Sequence, residues 1–303
     1  MRDQIHAVGY RPLEGRDTRF VPWPIARTAL TLAWRRRATK GALLLCLVVF
    51  FGHALYLVGR MMAMEYSMNF NAGLGAQMML YSVLGQTQEV LATFLHTQFL
   101  ATALCIAVVG GGLVADDIKA GAFELYFARP IHRRTYAAGK LLAAATIPVV
   151  TILVPFCALW LIAVGISPEG QRESLWWLIL PGLGGGLLAT AMLACSLVGL
   201  SALGERGRTV GVVFVVALFA LSGLAEGLTD AGFEWAGYLS PQRNVSTIAK
   251  SLLDVSFTSS ITDMLQPHNV GVNPSALPSA LSLLAFILAG LGALAARLRK
   301  VAA

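Results

Sequence analysis

The chain has 303 residues, of which 56% are apolar and only 13% charged, with a mean hydropathy of +0.68. Soluble chains carry about 25% charged residues, so an ordinary soluble domain is excluded. Disorder, which needs low hydrophobicity and high charge, is excluded more firmly still.

The charges are clumped. Windows 41–59, 94–115, 141–166, 175–203, 209–225 and 277–296 contain no Asp, Glu, Lys or Arg. Each is near or above the ~20 residues that cross a bilayer core as helix. The runs are continuously apolar, without the alternation that a membrane β-barrel shows. The fold class expected is an all-α polytopic membrane protein with six transmembrane helices. It divides into a tail and interfacial helix over 1–40 and a transmembrane domain over 41–303.

Residues 1–24 carry Pro12, Pro22 and Pro24 and read as an irregular tail. From Ile25 a helical pattern begins, with Ile25, Ala26, Ala29, Leu30, Leu32, Ala33 and Trp34 on one broad face. Arg27, Thr28, Thr31 and Arg35 lie opposite, and Arg35, Arg36, Arg37 and Lys40 close the segment. A basic amphipathic helix bearing Trp34 is expected to lie on a membrane surface against anionic headgroups, so membrane lipids are its first partner.

Between the first two spans, residues 60–93 hold six of the nine methionines: Met61, Met62, Met64, Met68, Met78 and Met79. Their spacing is irregular and no His or Cys accompanies them, so adaptable apolar packing is expected and a metal site is not. His53 and His96 lie in adjacent spans, where a shared proton relay or metal is conceivable in principle. Isolated intramembrane imidazoles are more often packing or hydrogen-bonding groups, and that is the expectation. In the third span, Pro148 and Pro155 are expected to bend the helix or free its carbonyls. In the fourth, Gly182 and Gly186 form a small-xxx-small pair that allows close helix approach. Residues 226–276 mix aromatic and acidic residues and are expected as short helices on or just above the outer membrane surface.

Orientation follows from the basic residues. With both termini inside, 19 of the 23 Lys and Arg lie in the inner segments 1–40, 116–140, 204–208 and 297–303. Arg60, Arg172, Arg243 and Lys250 are the four left outside. The net charge of +7 is thus a topology signal, and no nucleic-acid partner is expected. This places the chain in the cell inner (plasma) membrane with both termini cytoplasmic. All four cysteines fall inside spans and are read as small core residues.

No motif for chemistry is present. There is no GxxxxGK(S/T), HExxH, CxxC or GxSxG. The chain itself is therefore read as lacking ATPase motifs, as no enzyme, and as binding no cofactor or metal. The charge-free windows also lower the case for a self-powered carrier, which needs charges at depth. Energy must then enter through a loop.

One loop is equipped for it. The segment 116–140 opens with Asp116 and Asp117, contains Phe123, Glu124, Tyr126 and Phe127, and turns at Arg129-Pro130. It ends on a basic run that includes Arg133. Phe123, Tyr126 and Phe127 stand at i, i+3 and i+4, so a short amphipathic helix with a charged rim is expected, the anatomy of a protein contact.

This stretch, VADDIKAGAFELYFARPIHRRTYAAGK over 114–140, resembles the loop between the second and third helices of ABC-2-type transporter permeases. The family pattern runs acidic residue, three residues, Gly-Thr, an apolar stretch, Arg-Pro, a small polar residue, Arg, and then Gly-Lys. Asp117, Gly121, Arg129-Pro130, Arg133 and Gly139-Lys140 match it, whereas Ala122 and His132 depart from it. The resemblance implies two permease copies, expected as a homodimer, paired with two separate ABC ATPase subunits that use ATP and Mg. It implies that Asp117–Phe127 forms a cytoplasmic coupling helix docked on the ATPase, with Asp116, Asp117, Gly121, Phe123, Glu124, Tyr126, Phe127, Arg129, Pro130 and Arg133 carrying the contact. Export is the expected direction. A self-sufficient channel or carrier without an ATPase is the alternative.

Overall fold

In the computed structural model, residues 22–69, 86–123, 132–167, 169–255 and 275–300 are described. Among them there is no strand. The helices are α1 (Trp23–Trp34), α2 (Arg37–Asn69), α3 (Thr87–Gly110), α4 (Gly112–Lys119), α5 (Arg133–Pro148), α6 (Val154–Ile166), α7 (Glu169–Trp176), α8 (Ile179–Leu203), α9 (Gly207–Asp230), α10 (Pro241–Leu252) and α11 (Ala276–Lys300). A wide helical turn over Val149–Leu153 joins α5 to α6, and a tight 3-10 turn over Glu234–Leu239 precedes α10.

Six helical segments are long and apolar enough to cross a membrane: Arg37–Ala63, Thr87–Lys119, Arg133–Ile166, Arg172–Leu203, Gly207–Asp230 and Ala276–Lys300. Each contains one of the charge-free windows and runs beyond it. The extensions bring in two buried cations, Arg60 and Lys140, at span ends where each finds a partner.

The spans differ in how they use their apolar surface. α3 is enclosed over most of its length, with Phe94, Leu95, Phe99, Cys105 and Ile106 at 2% exposure or less. α2 and α11 carry Leu44, Val48, Phe51, Leu55, Leu281 and Leu288 exposed, which lipid accommodates without penalty. Because lipid tails are as apolar as leucine, helices associate here through close packing and hydrogen bonds.

Close packing is set by glycine. α8 packs most extensively against α11, where a Cβ on Gly199 would meet the Gly290 Cα at 2.5 Å. Gly182 and Gly186 on α8 face Phe156 of α6 and Leu153 of the wide turn, so the small-xxx-small pair does set a close crossing.

Within the described part of 226–276, short helical elements pack into the bundle. α9 continues to Asp230, and α10 buries Pro241, Asn244, Val245, Thr247, Ile248 and Ala249 against α3, α8 and α11. The Asn244 amide donates to the Tyr238 carbonyl at 2.7 Å and to Ser282 Oγ at 3.1 Å, which draws the helix into the bundle. His53 and His96 are hydrogen-bonding groups with separate partners. His53 Nε2 lies 3.3 Å from Thr97 Oγ1, while His96 Nε2 lies 3.0 Å from the Gln242 amide, so they share no relay. Of the methionines, Met78 and Met79 lie outside the described residues.

Candidate functional site: the acidic pair at the basic end

The helix expected over Asp117–Phe127 does not form as one piece. α4 ends at Lys119, and Gly121 takes the left-handed conformation at φ +63°. That is the residue type best able to close a helix in this way. The Gly121 N–H donates to the Ile118 carbonyl at 3.1 Å, and the chain is helical again at Ala122 and Phe123. Glu124, Tyr126, Phe127, Arg129 and Pro130 lie outside the described residues.

Asp117 is held within its own chain. Its Oδ2 accepts from Tyr136 Oη at 2.7 Å and from Lys140 Nζ at 2.7 Å. Tyr136 and Lys140 stand one turn apart on α5, the spacing that places two side chains on one helix face. Tyr136 is fully buried, and the Lys140 ammonium sits 5.4 Å from the centre of its ring. Phe123, expected on a docking face, is instead buried edge-to-face on Tyr136 with ring centres 5.4 Å apart. The loop's first aromatic is thus spent inside the chain.

Asp116 points the other way. Its Oδ1 accepts from the Gly207 N–H at 3.2 Å, where α9 begins and its first amides lack helical partners. A carboxylate there also meets the positive end of the helix dipole. Its Oδ2 lies 3.7 Å from the Arg36 guanidinium, an exposed pair that adds little energy by itself. Neighbouring acids therefore tie the base of the loop to two spans, Asp117 to α5 and Asp116 to α9, with a weak exposed contact from Asp116 to Arg36 just before α2.

Backbone contact makes this possible. A Cβ on Gly111 would meet the Gly207 carbonyl at 2.5 Å, and one on Gly211 would meet the Ala107 carbonyl at 2.5 Å. Between α3 and α4 the Ser201 hydroxyl of α8 accepts from the Val114 and Ala115 N–H groups, both at 3.0 Å, and donates to the Gly111 carbonyl at 2.8 Å. A single hydroxyl of α8 thus binds three main-chain groups at the junction of α3 and α4.

The Gly139-Lys140 pair acquires a physical meaning. Lys140 neutralises Asp117, and Gly139 gives α1 its seat, since a Cβ there would meet Ile25 Cβ at 2.7 Å and the Pro22 carbonyl at 2.9 Å. α1 buries Ala26 and Ala33 and leaves Trp23, Leu32 and Trp34 exposed. Arg27, Arg35, Arg36 and Arg37 are exposed, as are His132, Arg133 and Arg134 across the loop. Sequence reasoning did not single out Tyr136, Ser201, Gly207 or Gly211. A tyrosine at a span end, a lone serine in an apolar run and two glycines one turn apart were the available signals. Among the described residues no group of three or more His, Cys, Asp or Glu is placed to hold a metal.

No curated protein matches the chain. A family model described as ABC-2 family transporter protein matches residues 25–298, from the first turn of α1 almost to the end of α11. The segment that prompted the resemblance lies within that match, as do the first five spans and all but the last two residues of the sixth. The chain belongs to the ABC-2 family of transporter proteins and is a multi-pass membrane permease.

Proposed function

We propose that this permease is the membrane subunit of an ATP-driven exporter, in which two copies of the chain pair with two separate ATPase subunits. The ATPase binds and hydrolyses ATP with Mg, and the chain contributes the path and the loop that receives the motion. The basic end is taken as cytoplasmic in the inner (plasma) membrane, with α1 resting on anionic headgroups.

One observation carries the reading: the base of loop 116–140 is anchored to two spans, α5 and α9, by adjacent acids. A force applied to a loop reaches the membrane domain only if the loop is rigidly joined to it. Asp117 with Tyr136 and Lys140, and Asp116 with Gly207, supply such joints. Nucleotide can drive the change only by binding two arrangements with different affinity, so the joints must hold in both.

The test is co-purification from the native host in mild detergent, beside a variant carrying Glu124→Arg and Phe127→Ala. A stoichiometric soluble ATPase that is lost in the variant supports the reading. A chain that purifies alone in both forms overturns it in favour of a channel or carrier that works without an ATPase.

A further inference from the structure

The third span contains two prolines, and their consequences meet in one place. Pro148 ends α5 and Pro155 stands at the second position of α6, with the wide turn Val149–Leu153 between them. In a regular helix the carbonyl of Thr151 receives the N–H of the residue four places on, which here is Pro155 and has none. Pro155 thus offers that carbonyl no donor, and the Gln98 side-chain amide of α3 donates to it at 2.6 Å. The same nitrogen lies 3.3 Å from the Cys46 carbonyl of α2. Gln98 thus joins the first and third spans across the second. A turn further along α3, Thr102 and Thr151 share a hydroxyl hydrogen bond at 2.9 Å, and the Thr151 hydroxyl also reaches the Ile147 carbonyl at 2.9 Å.

We propose that Gln98 is the latch of a hinge in the third span, a positioning residue that replaces the N–H missing at Pro155. Wide turns and prolines are the usual causes of a bend in a long helix. The latch is also incomplete. Gln98 is fully buried and its Oε1 has no partner among the described residues, so the latched state carries an unsatisfied acceptor. Release separates the half that bears Lys140, and through it Asp117, from the half that begins at Val154. The hinge belongs to this chain and stands apart from whether an ATPase docks on the loop.

Hydrogen exchange of the peptide spanning 147–154, with the protein in lipid nanodiscs, reads the hinge directly. Gln98→Leu removes the donor and is expected to speed exchange there about ten-fold. Pro155→Ala restores the backbone N–H and, added to Gln98→Leu, is expected to return exchange to near the wild-type rate. A residue that merely fills space costs the same in both backgrounds. Equal acceleration with and without Pro155→Ala therefore overturns the proposal, as does no acceleration in Gln98→Leu. Should Gln98→Leu alone not yield monodisperse protein, recovery in the double variant supports the latch and failure of both overturns it.

Discussion

The Lys140 ammonium lies 2.7 Å from the Asp117 carboxylate, with the two side chains only 7% and 18% exposed. The pair joins the end of α4 to the second turn of α5 and encloses between them the whole loop that the family resemblance singled out. A cation this enclosed stands or falls with its partner. Desolvating it is costly, and the attraction repays the cost only while Asp117 and the Tyr136 hydroxyl are in place.

Removing one member is therefore expected to do more damage than removing both. Asp117→Leu or Lys140→Met alone should destabilise the chain by about 3 kcal/mol, the scale for an abandoned buried charge. The double variant should recover most of that loss. Thermal unfolding in detergent, followed by tryptophan fluorescence, makes the comparison; additive losses in the double variant would refute a coupled pair.

The seat of α1 on α5 gives a second prediction. Gly139→Val places methyl groups where Ile25 and the Pro22 carbonyl now stand. Overpacking of this type costs about 1–3 kcal/mol, and α1 should be pushed away while the spans stay folded. Tryptic cleavage after the exposed Arg27 should then quicken roughly ten-fold. An unchanged cleavage rate would mean that α1 is held by the membrane and that α5 contributes little.

A third concerns the crossing of α8 and α11. Gly199→Ala drives a Cβ into the Gly290 backbone, which has no flexible side chain to yield. The apparent Tm in detergent should fall by several degrees, whereas Gly165→Ala, which meets nothing within 4 Å, should leave it unchanged. Equal effects at the two positions would remove the crossing as a determinant of the fold.

The joints show why the site was only partly legible in the sequence. Asp116 and Asp117 are conspicuous as an acidic pair, and together they suggest one docking rim. A turn of about 100° per residue separates neighbours on a helix, so the two face different helices, and only the packing of α5 and α9 decides which. Phe123 reads equally as a docking aromatic and as core, and its direction depends on where Gly121 breaks the helix. Pro148 and Pro155 signal a bend in the third span, but that the Thr151 carbonyl is met by Gln98 depends on which helix lies beside it.

What the sequence determined by itself was the class and the number of spans. A bilayer admits few charges at depth, so charge-free windows of sufficient length mark helices without knowledge of their neighbours. The joints that hold those helices were decided by tertiary structure. In lipid the apolar surfaces discriminate little between partners. The arrangement is set by close glycine contacts such as Gly199 on Gly290 and by lone polar groups such as Ser201, Gln98 and Lys140. Each of these takes its meaning from residues far away in the chain.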